Sequence, residues 1–501
     1  METKLITTVS GREVSLQIED RMYIDGSFVT ADDTFLAENP STNETLAELP
    51  IASREQVDRA VQSAQRASKQ WRELGVMERR DRVEQLADAI VEAKDEITNL
   101  DVADNGSCIS KMQDDAEKGA KMLDYFAGIA TELKGETIPT EGENIDFTKR
   151  EPYGVIAGII PFNHPAAFVV RKIGPAIVAG NGIVIKPSEF TSLSALYLAR
   201  VIDSVDAIPD GLVNIVTGPG NVGAELVEHG DVGMVTMIGS VETGKKVMQG
   251  ASKHLAPVVL ELGGKNPTVV FPDKDPEEAA EGAAGAMNLA WQGQSCGSGS
   301  RLLVHEDIYD DVVSSVVERF EAIEVGDPFD HESSMGSIVS EPQFEKVVSY
   351  VETAKEEGAT LLTGGDVVEK YDTGYFFQPT VFEVDPNMTI ANEEIFGPVL
   401  SVMSWNDYDE MIEIANGVDY GLTASVWTDD LRTAYRTVDD LEAGYIWVNQ
   451  HGSHFIGAPF GGYKQSGIGT NESVEELLDH TRIKNVNVNL EGELTALSTD
   501  D

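Results

Sequence analysis

The chain has almost no cysteine: its 501 residues include only Cys108 and Cys296. Two cysteines cannot build a disulfide framework, so the fold must rest on a hydrophobic core. Basic residues are also few, 37 against 86 acidic ones, which leaves a net charge of −49. Such a surface excludes nucleic acid as a partner, because phosphate binding needs clustered Lys and Arg. No apolar run reaches the roughly 18 residues that a membrane-spanning helix requires, so no membrane partner is expected. Met1-Glu2-Thr3-Lys4 leads into no apolar signal segment, and a reducing cytoplasm is the expected location. Histidine and cysteine nowhere show zinc-like spacing, and the His451-x-x-His454 pair lacks suitable partners nearby, so no metal is expected. Internal repeats and low-complexity segments are absent.

Hydrophobic residues make up 41% of the chain, enough for sizeable cores, and the length predicts two or three domains. The acidic residues are spread along the sequence, which indicates a solvated surface and not a disordered tail. Their mutual repulsion opposes compaction at ordinary ionic strength. A Debye length of about 3 Å at 1 M salt would relieve it. The charge therefore suggests a protein built for a salt-rich cytoplasm, the alternative being an acidic enzyme of ordinary habitat.

Residues 1–20 read as a polar extension, and Tyr23–Phe28 as the start of a hairpin. Residues 53–133 are helix-rich, with Val83, Leu86, Ile90 and Val91 at helical spacing. Segment 134–150 is polar and strand-like. From residue 152 short apolar strands at 155–160, 182–185, 213–216, 235–238 and 258–260 alternate with helices. That rhythm predicts a parallel sheet covered on both faces, with ligands beyond the C-terminal strand ends. A second α/β region starts at Thr268–Phe271, continues through a helix over 276–291 and runs to about residue 463. Ile483, Val486, Val488 and Leu490 alternate as an exposed strand would, and Ser498–Asp501 are expected to fray. The predicted divisions are a dinucleotide-binding domain (20–133 and 152–262), a catalytic domain (263–463) and bridging strands (134–151 and 482–492).

Cys296 lies in Gly293-Gln294-Ser295-Cys296-Gly297-Ser298-Gly299, where small neighbours leave its sulfur open to a substrate. Gly218-Pro219-Gly220-Asn221-Val222-Gly223 fits G-x-G-x-x-G between a strand and a helix, and reads equally as a turn or as a phosphate loop. Gly239-Ser240 opens the next helix, where free N–H groups and a hydroxyl make Ser240 the preferred pyrophosphate site. Lys186 and Glu189 end a strand of the same sheet. A carboxylate on the ribose hydroxyls would repel a 2′-phosphate, which favours NAD over NADP. Prolines flank Asn163, whose amide can donate to an oxyanion. Glu261 stands at a strand end beside Gly263 and Gly264.

Taken with the cysteine loop, these segments resemble the aldehyde dehydrogenase superfamily over residues 20 to 490. The most specific pieces are Glu261-Leu262-Gly263-Gly264-Lys265, Gly293-Gln294-Ser295-Cys296, Glu393-Glu394-Ile395-Phe396-Gly397-Pro398 and Pro459-Phe460-Gly461-Gly462-Tyr463-Lys464-Gln465-Ser466-Gly467. The resemblance implies an α/β fold: a Rossmann-like cofactor-binding domain, an α/β catalytic domain and a small β oligomerisation arm in a homodimer or homotetramer. It implies oxidation of an aldehyde to its acid with NAD, or NADP, through a thiohemiacetal and a thioester on Cys296. By residue, it implies Glu261 as the base that activates water and Asn163 with the Cys296 N–H as oxyanion donors. Lys172 would lie near that asparagine. Lys186, Glu189, Ser240, Glu394 and Phe396 would contact the cofactor, beside Gly218, Gly223 and Gly239.

Departures from the family pattern are Phe162 and His164 in the asparagine loop, and Thr470-Asn471 where Arg-Glu is usual. A second acidic residue for proton relay falls, by counting, at Val474 with Glu475 adjacent, and receives no assignment. The same counting puts His164, Phe168, Arg171, His451 and His454 near the substrate tunnel. A polar tunnel would suit a hydroxylated or carboxylated aldehyde, with Arg171 as carboxylate anchor; the alternative is that these side chains turn away into structural hydrogen bonds. Two further functions are weighed: a CoA-acylating semialdehyde dehydrogenase, disfavoured by Glu261, and a non-catalytic structural or binding protein.

Overall fold

A computed structural model describes residues 1–141 and 144–490. Its main sheet has eight strands, in the order Gly467–Ile468, Val258–Glu261, Met234–Ile238, Val155–Ile159, Gly182–Lys186, Val213–Ile215, Met22–Ile24, Ser27–Val29. The five central strands run parallel; one antiparallel strand closes one side, and the hairpin of Met22–Ile24 and Ser27–Val29 closes the other. The central strands are buried and mostly apolar because both faces are covered, with Asn214 and Thr236 inside them and Lys186 and Glu261 at their C-terminal ends. Ile183 and Ile185 join one core with helices Pro165–Val178 and Leu193–Asp203. Val184, one residue out of phase, joins the other with helices Arg54–Trp71 and Gly220–Val227.

The second sheet has seven strands: Thr360–Thr363, Thr380–Glu383, Val399–Trp405, Arg301–His305, Pro267–Val270, Thr423–Trp427, Tyr445–Val448. All neighbours are parallel except the first pair. Again two cores sandwich it, Val269 and Leu303 facing one and Val270, Leu302 and Val304 the other. A three-stranded arm pairs Thr481–Asn489 with Asn144–Pro152, in register from Thr481 opposite Pro152 to Asn489 opposite Asn144, and adds Thr137–Ile138. The expected α/β organisation is present, with two largely parallel sheets each covered on both faces.

Two expectations change. Residues 1–20 are not a loose extension: Glu2–Thr7 and Glu13–Ile18 form a hairpin whose Ile6, Leu16 and Ile18 enter the core. Glu19 follows it, buried and paired with Arg21 and Arg200. The polar surface of that hairpin masked its alternating inward face. The helix expected over 276–291 is Pro276–Ala286; the chain then turns through Asn288 at φ 53° into a single turn, Leu289–Trp291. Residues 491–492 and the end Ser498–Asp501 lie outside the described residues.

Candidate active site

The site forms beyond the C-terminal strand ends of the first sheet, against loops that lead into the second sheet: Cys296 lies before strand Arg301–His305, and Glu394 and Phe396 before Val399–Trp405. Glu261 is the last residue of strand Val258–Glu261, opposite Gly467 in the edge pairing. Its carbonyl accepts from the Gly239 N–H at 3.0 Å, which ties it to the turn before Ser240. Cys296 lies in a loop held by its backbone. Asn266 donates through Nδ2 to the Cys296 and Ser298 carbonyls at 2.7 and 2.8 Å. Gln292 anchors the approach by donating to the Gly106 carbonyl at 3.1 Å. Gly293 has φ 69°, and a Cβ there would stand 2.3 Å from the Gly397 carbonyl oxygen, so only glycine fits. These contacts fix the loop and leave the thiol half-buried, with no disulfide partner.

One cavity of about 270 Å³ brings together Cys296, Glu261, His164, Phe168, Arg171 and His454. Asp115, Lys118 and Glu472 also line it, between the aromatic walls of Trp291, Trp447 and Phe460. Burial pushes the Cys296 thiol well up, and the Glu261 carboxylate beside it adds to the effect, while Arg171 opposes both. Both Glu261 carboxylate oxygens are buried without a hydrogen-bond partner. A buried carboxylate with no partner is costly and poised to accept a proton from whatever enters.

Asn163, the residue before His164 in the chain, is buried and does not itself line this cavity, and its Oδ1 has no partner. Asn105 holds the loop by donating to the Phe162 carbonyl at 2.5 Å. Lys172 is fully buried, donating to Asn471 and pairing with Glu476 at 3.1 Å. Burial pushes Lys172 down, against the pull of Glu476.

Arg171 lies in the cavity wall, but its charge is already matched. Nη1 sits 2.8 Å from Glu472 Oε1, and Nη2 3.6 Å from Glu261 Oε2. Burial works against the guanidinium charge, and Glu472 with Glu261 more than restores it. Burial likewise raises Glu472, but Arg171 and His454 outweigh it and hold the carboxyl down at about 2. His164 Nδ1 is 2.6 Å from Asp115 Oδ2, a bond that fixes the ring against Phe168 and Trp291.

His451 does not reach the cavity. Its ring packs on Gly285, where a Cβ would meet Nε2 at 2.4 Å, and burial pushes its pKa down. Counting along the chain located the segment but not the direction of the side chain: Asn449 and Gly452 both turn through positive φ. Glu475 is exposed, and the acidic residues at the site are Glu472 and Glu476 instead. Asp115, Glu472 and Trp291 escaped sequence reading. The signal for Glu472 was its place in a departing segment, where it takes φ 65°.

The candidate cofactor residues gather at the other side. Lys186 Nζ is 3.1 Å from Glu189 Oε2, and burial pushes Lys186 down against that pairing. Gly223 faces the Lys186 stem, a Cβ there standing 3.9 Å from Cδ, whereas Gly218, at φ 141°, is required by its turn against Val222. Ser240 caps helix Val241–Ala251 by accepting from the Thr243 N–H. Ser240 and Glu394 border one open cleft of about 700 Å³. Glu394 accepts from the Gly264 N–H at 2.9 Å; burial raises its carboxyl, against that bond and Lys346. Phe396, at φ 59°, meets Phe162 edge-on at 5.6 Å. A paired lysine, a helix-capping hydroxyl and a buried carboxylate along one edge suit a dinucleotide with two ribose diols. Among the described residues no group of three or more His, Cys, Asp and Glu could hold a metal ion. No helix among them is long and apolar enough to cross a membrane.

The sequence pattern of the aldehyde dehydrogenase family matches residues 28–486. The chain is 40% identical over 493 residues to aldehyde dehydrogenase tropH of Talaromyces stipitatus, covering 96% of this chain and 95% of that protein. The solved NAD+ complex of an aldehyde dehydrogenase from Bacillus cereus aligns with a TM-score of 0.91 at 39% identity, over 94% of this chain and 97% of that one. A point mutant of betaine aldehyde dehydrogenase from Staphylococcus aureus, solved with NAD+, aligns with a TM-score of 0.93 at 33% identity, over 97% and 100%.

Proposed function

Because this chain belongs to the aldehyde dehydrogenase family and oxidises an aldehyde to the carboxylic acid with NAD(P)+, we propose a role for each residue at the cavity. Cys296 is the nucleophile, adding as thiolate to the carbonyl carbon to give a thiohemiacetal. Asn163 and the Cys296 N–H receive the oxyanion. The nicotinamide, when bound, supplies the hydride acceptor. Glu261 then takes a proton from water as it attacks the thioester, and the acid leaves. Lys186 and Glu189 hold the adenosine ribose, Ser240 the pyrophosphate and Glu394 the second ribose, with Phe396 packed beside the ring; Gly223 and Gly239 allow close backbone approach.

The observation that supports this reading most is the buried, unpartnered carboxylate of Glu261 in the same cavity as the only accessible thiol. Cys296→Ala should abolish aldehyde oxidation, and product analysis of the parent should give free acid. Parental turnover in Cys296→Ala, or acyl-CoA as the product, overturns it.

For the substrate, we propose an uncharged aldehyde carrying hydroxyls, in preference to a carboxylated one. Asp115 fixes His164 with its Nε2 left for a hydroxyl group. Arg171 is matched by Glu472 and Glu261, and carboxylates outnumber the Lys118 and Arg171 cations in the lining. A kcat/KM series over hydroxyaldehydes, alkanals and ω-carboxyaldehydes of equal length tests this. The hydroxylated members should lead by about tenfold, the worth of one good hydrogen bond, and His164→Phe should remove the lead. A preference for the carboxylated series would refute it. The arm, with Ile145 and Ile483 exposed, is proposed to pair with a second copy in a homodimer or homotetramer.

A further inference from the structure

Arg171 and Glu261 face each other with an uneven balance of satisfied and unsatisfied atoms. Both Glu261 carboxylate oxygens are buried without hydrogen bonds, and so are Nε and Nη2 of Arg171. At 3.6 Å, Nη2 is too far from Glu261 for a hydrogen bond but close enough for strong attraction in a water-poor setting. The opposite arm of the guanidinium is tied down. Nη1 pairs with Glu472 at 2.8 Å, and Glu472 pairs with His454 at 3.2 Å. The Glu472 backbone N–H donates to Glu476 Oε2 at 2.6 Å, and Glu476 is itself locked to Lys172. Arg171 is therefore a fixed cation facing Glu261 in the cavity that also holds the thiol.

We propose that Arg171, anchored by Glu472, is a positioning residue: it restrains Glu261 and offsets the negative charge that faces the thiol, so that the Cys296 thiolate can form beside it. This rests on the roles given above to Cys296 and Glu261. A thiolate next to an uncompensated carboxylate is disfavoured, since like charges in a buried site resist joint ionisation. The charged groups around the thiol are Glu261, Glu394, Arg171, Lys172, Glu472 and Glu476, with His454, Asp115, Lys118 and His164 on the outer walls. Of the two buried cations, Lys172 is consumed by Glu476 and Asn471, which leaves Arg171 for Glu261. The thiol proton passes to water through the open side of the cavity.

The test is the pH dependence of Cys296 alkylation by iodoacetamide, read on the isolated peptide, with the buried Cys108 as internal reference and Cys296→Ala as blank. Arg171→Met should move the midpoint up by about one pH unit, a tenfold slower reaction at fixed pH, and Arg171→Lys should recover most of it. Glu472→Gln should move the midpoint down, because Arg171 freed from Glu472 closes on Glu261. Opposite displacements in the two variants support the proposal; no displacement, or displacement in the same direction, overturns it. Should Arg171→Met not fold, the sign for Glu472→Gln decides alone. Aldehyde oxidation by Cys296→Ala would sink the catalytic reading separately, since the alkylation profile reports on the thiol whatever the substrate.

Discussion

Cys296, Glu261 and Asn163 differ in how they are held, and that sets what each substitution should show. Asn163 would act through one amide, so Asn163→Ala should lower kcat by about a hundredfold or more with KM little changed. Glu261 would act after hydride has left. Glu261→Gln should therefore keep a stoichiometric burst of NADH in stopped flow while steady turnover falls by a factor on the order of 10² to 10⁴. Loss of burst and turnover together would place Glu261 in the first step instead. These three residues were singled out in the sequence because their short segments together resemble the family's motifs; taken alone, Glu261 at its strand end reads as a surface group. Glu472 was not legible. Its role comes from Arg171, on a helix far away in sequence, and from a positive φ that no neighbouring residue announces. His451 shows the converse: its segment was found, but two left-handed residues beside it turned the ring onto Gly285.

Helix Pro165–Val178 carries both Arg171 and Lys172, and it starts directly after Asn163 and His164. Its N-terminal turn rests on helices Lys94–Asn105 and Ile109–Gly128. Asp101, on the first of these, is buried, its Oδ1 has no hydrogen-bond partner, and Asp115 adds repulsion. Burial above all pushes the Asp101 carboxyl up to about 8. The unfolded chain loses this proton near pH 4 while the folded one keeps it, so this group's contribution to stability falls as pH rises from about 4 to about 8. Asp101→Asn should therefore raise Tm at about pH 9 more than at about pH 5 in scanning calorimetry. An equal effect at both would mean that Asp101 is ionised throughout. The arm makes a second prediction at this scale. Ile483 is 64% exposed on a long edge strand, and Ile483→Asp should lower the assembly mass seen by light scattering. The alternation of strands and helices was legible almost residue by residue, because parallel strands buried on both faces need mostly apolar runs. The N-terminal hairpin was not, because half of its residues face water.

Across the whole molecule the charge of −49 acts on every contact described here. We propose that salt is part of its working environment: raising KCl from about 0.1 to about 2 M shortens the Debye length from about 10 Å to a few Å and should raise Tm by several degrees. Sucrose at equal osmolality should do much less; an equal gain would point to general exclusion and not to screening. The edge pairing of Glu261 with Gly467 has a consequence for biosynthesis. A ribosome that has translated as far as Tyr463 has already made the thiol, the base and the asparagine loop. The strand that flanks the base and the carboxylate that grips Arg171 have not yet emerged. Contacts so distant in sequence form last, so a half-made chain carries the thiol without the strand and the carboxylate that complete its surroundings, and reactivity arrives only with completion.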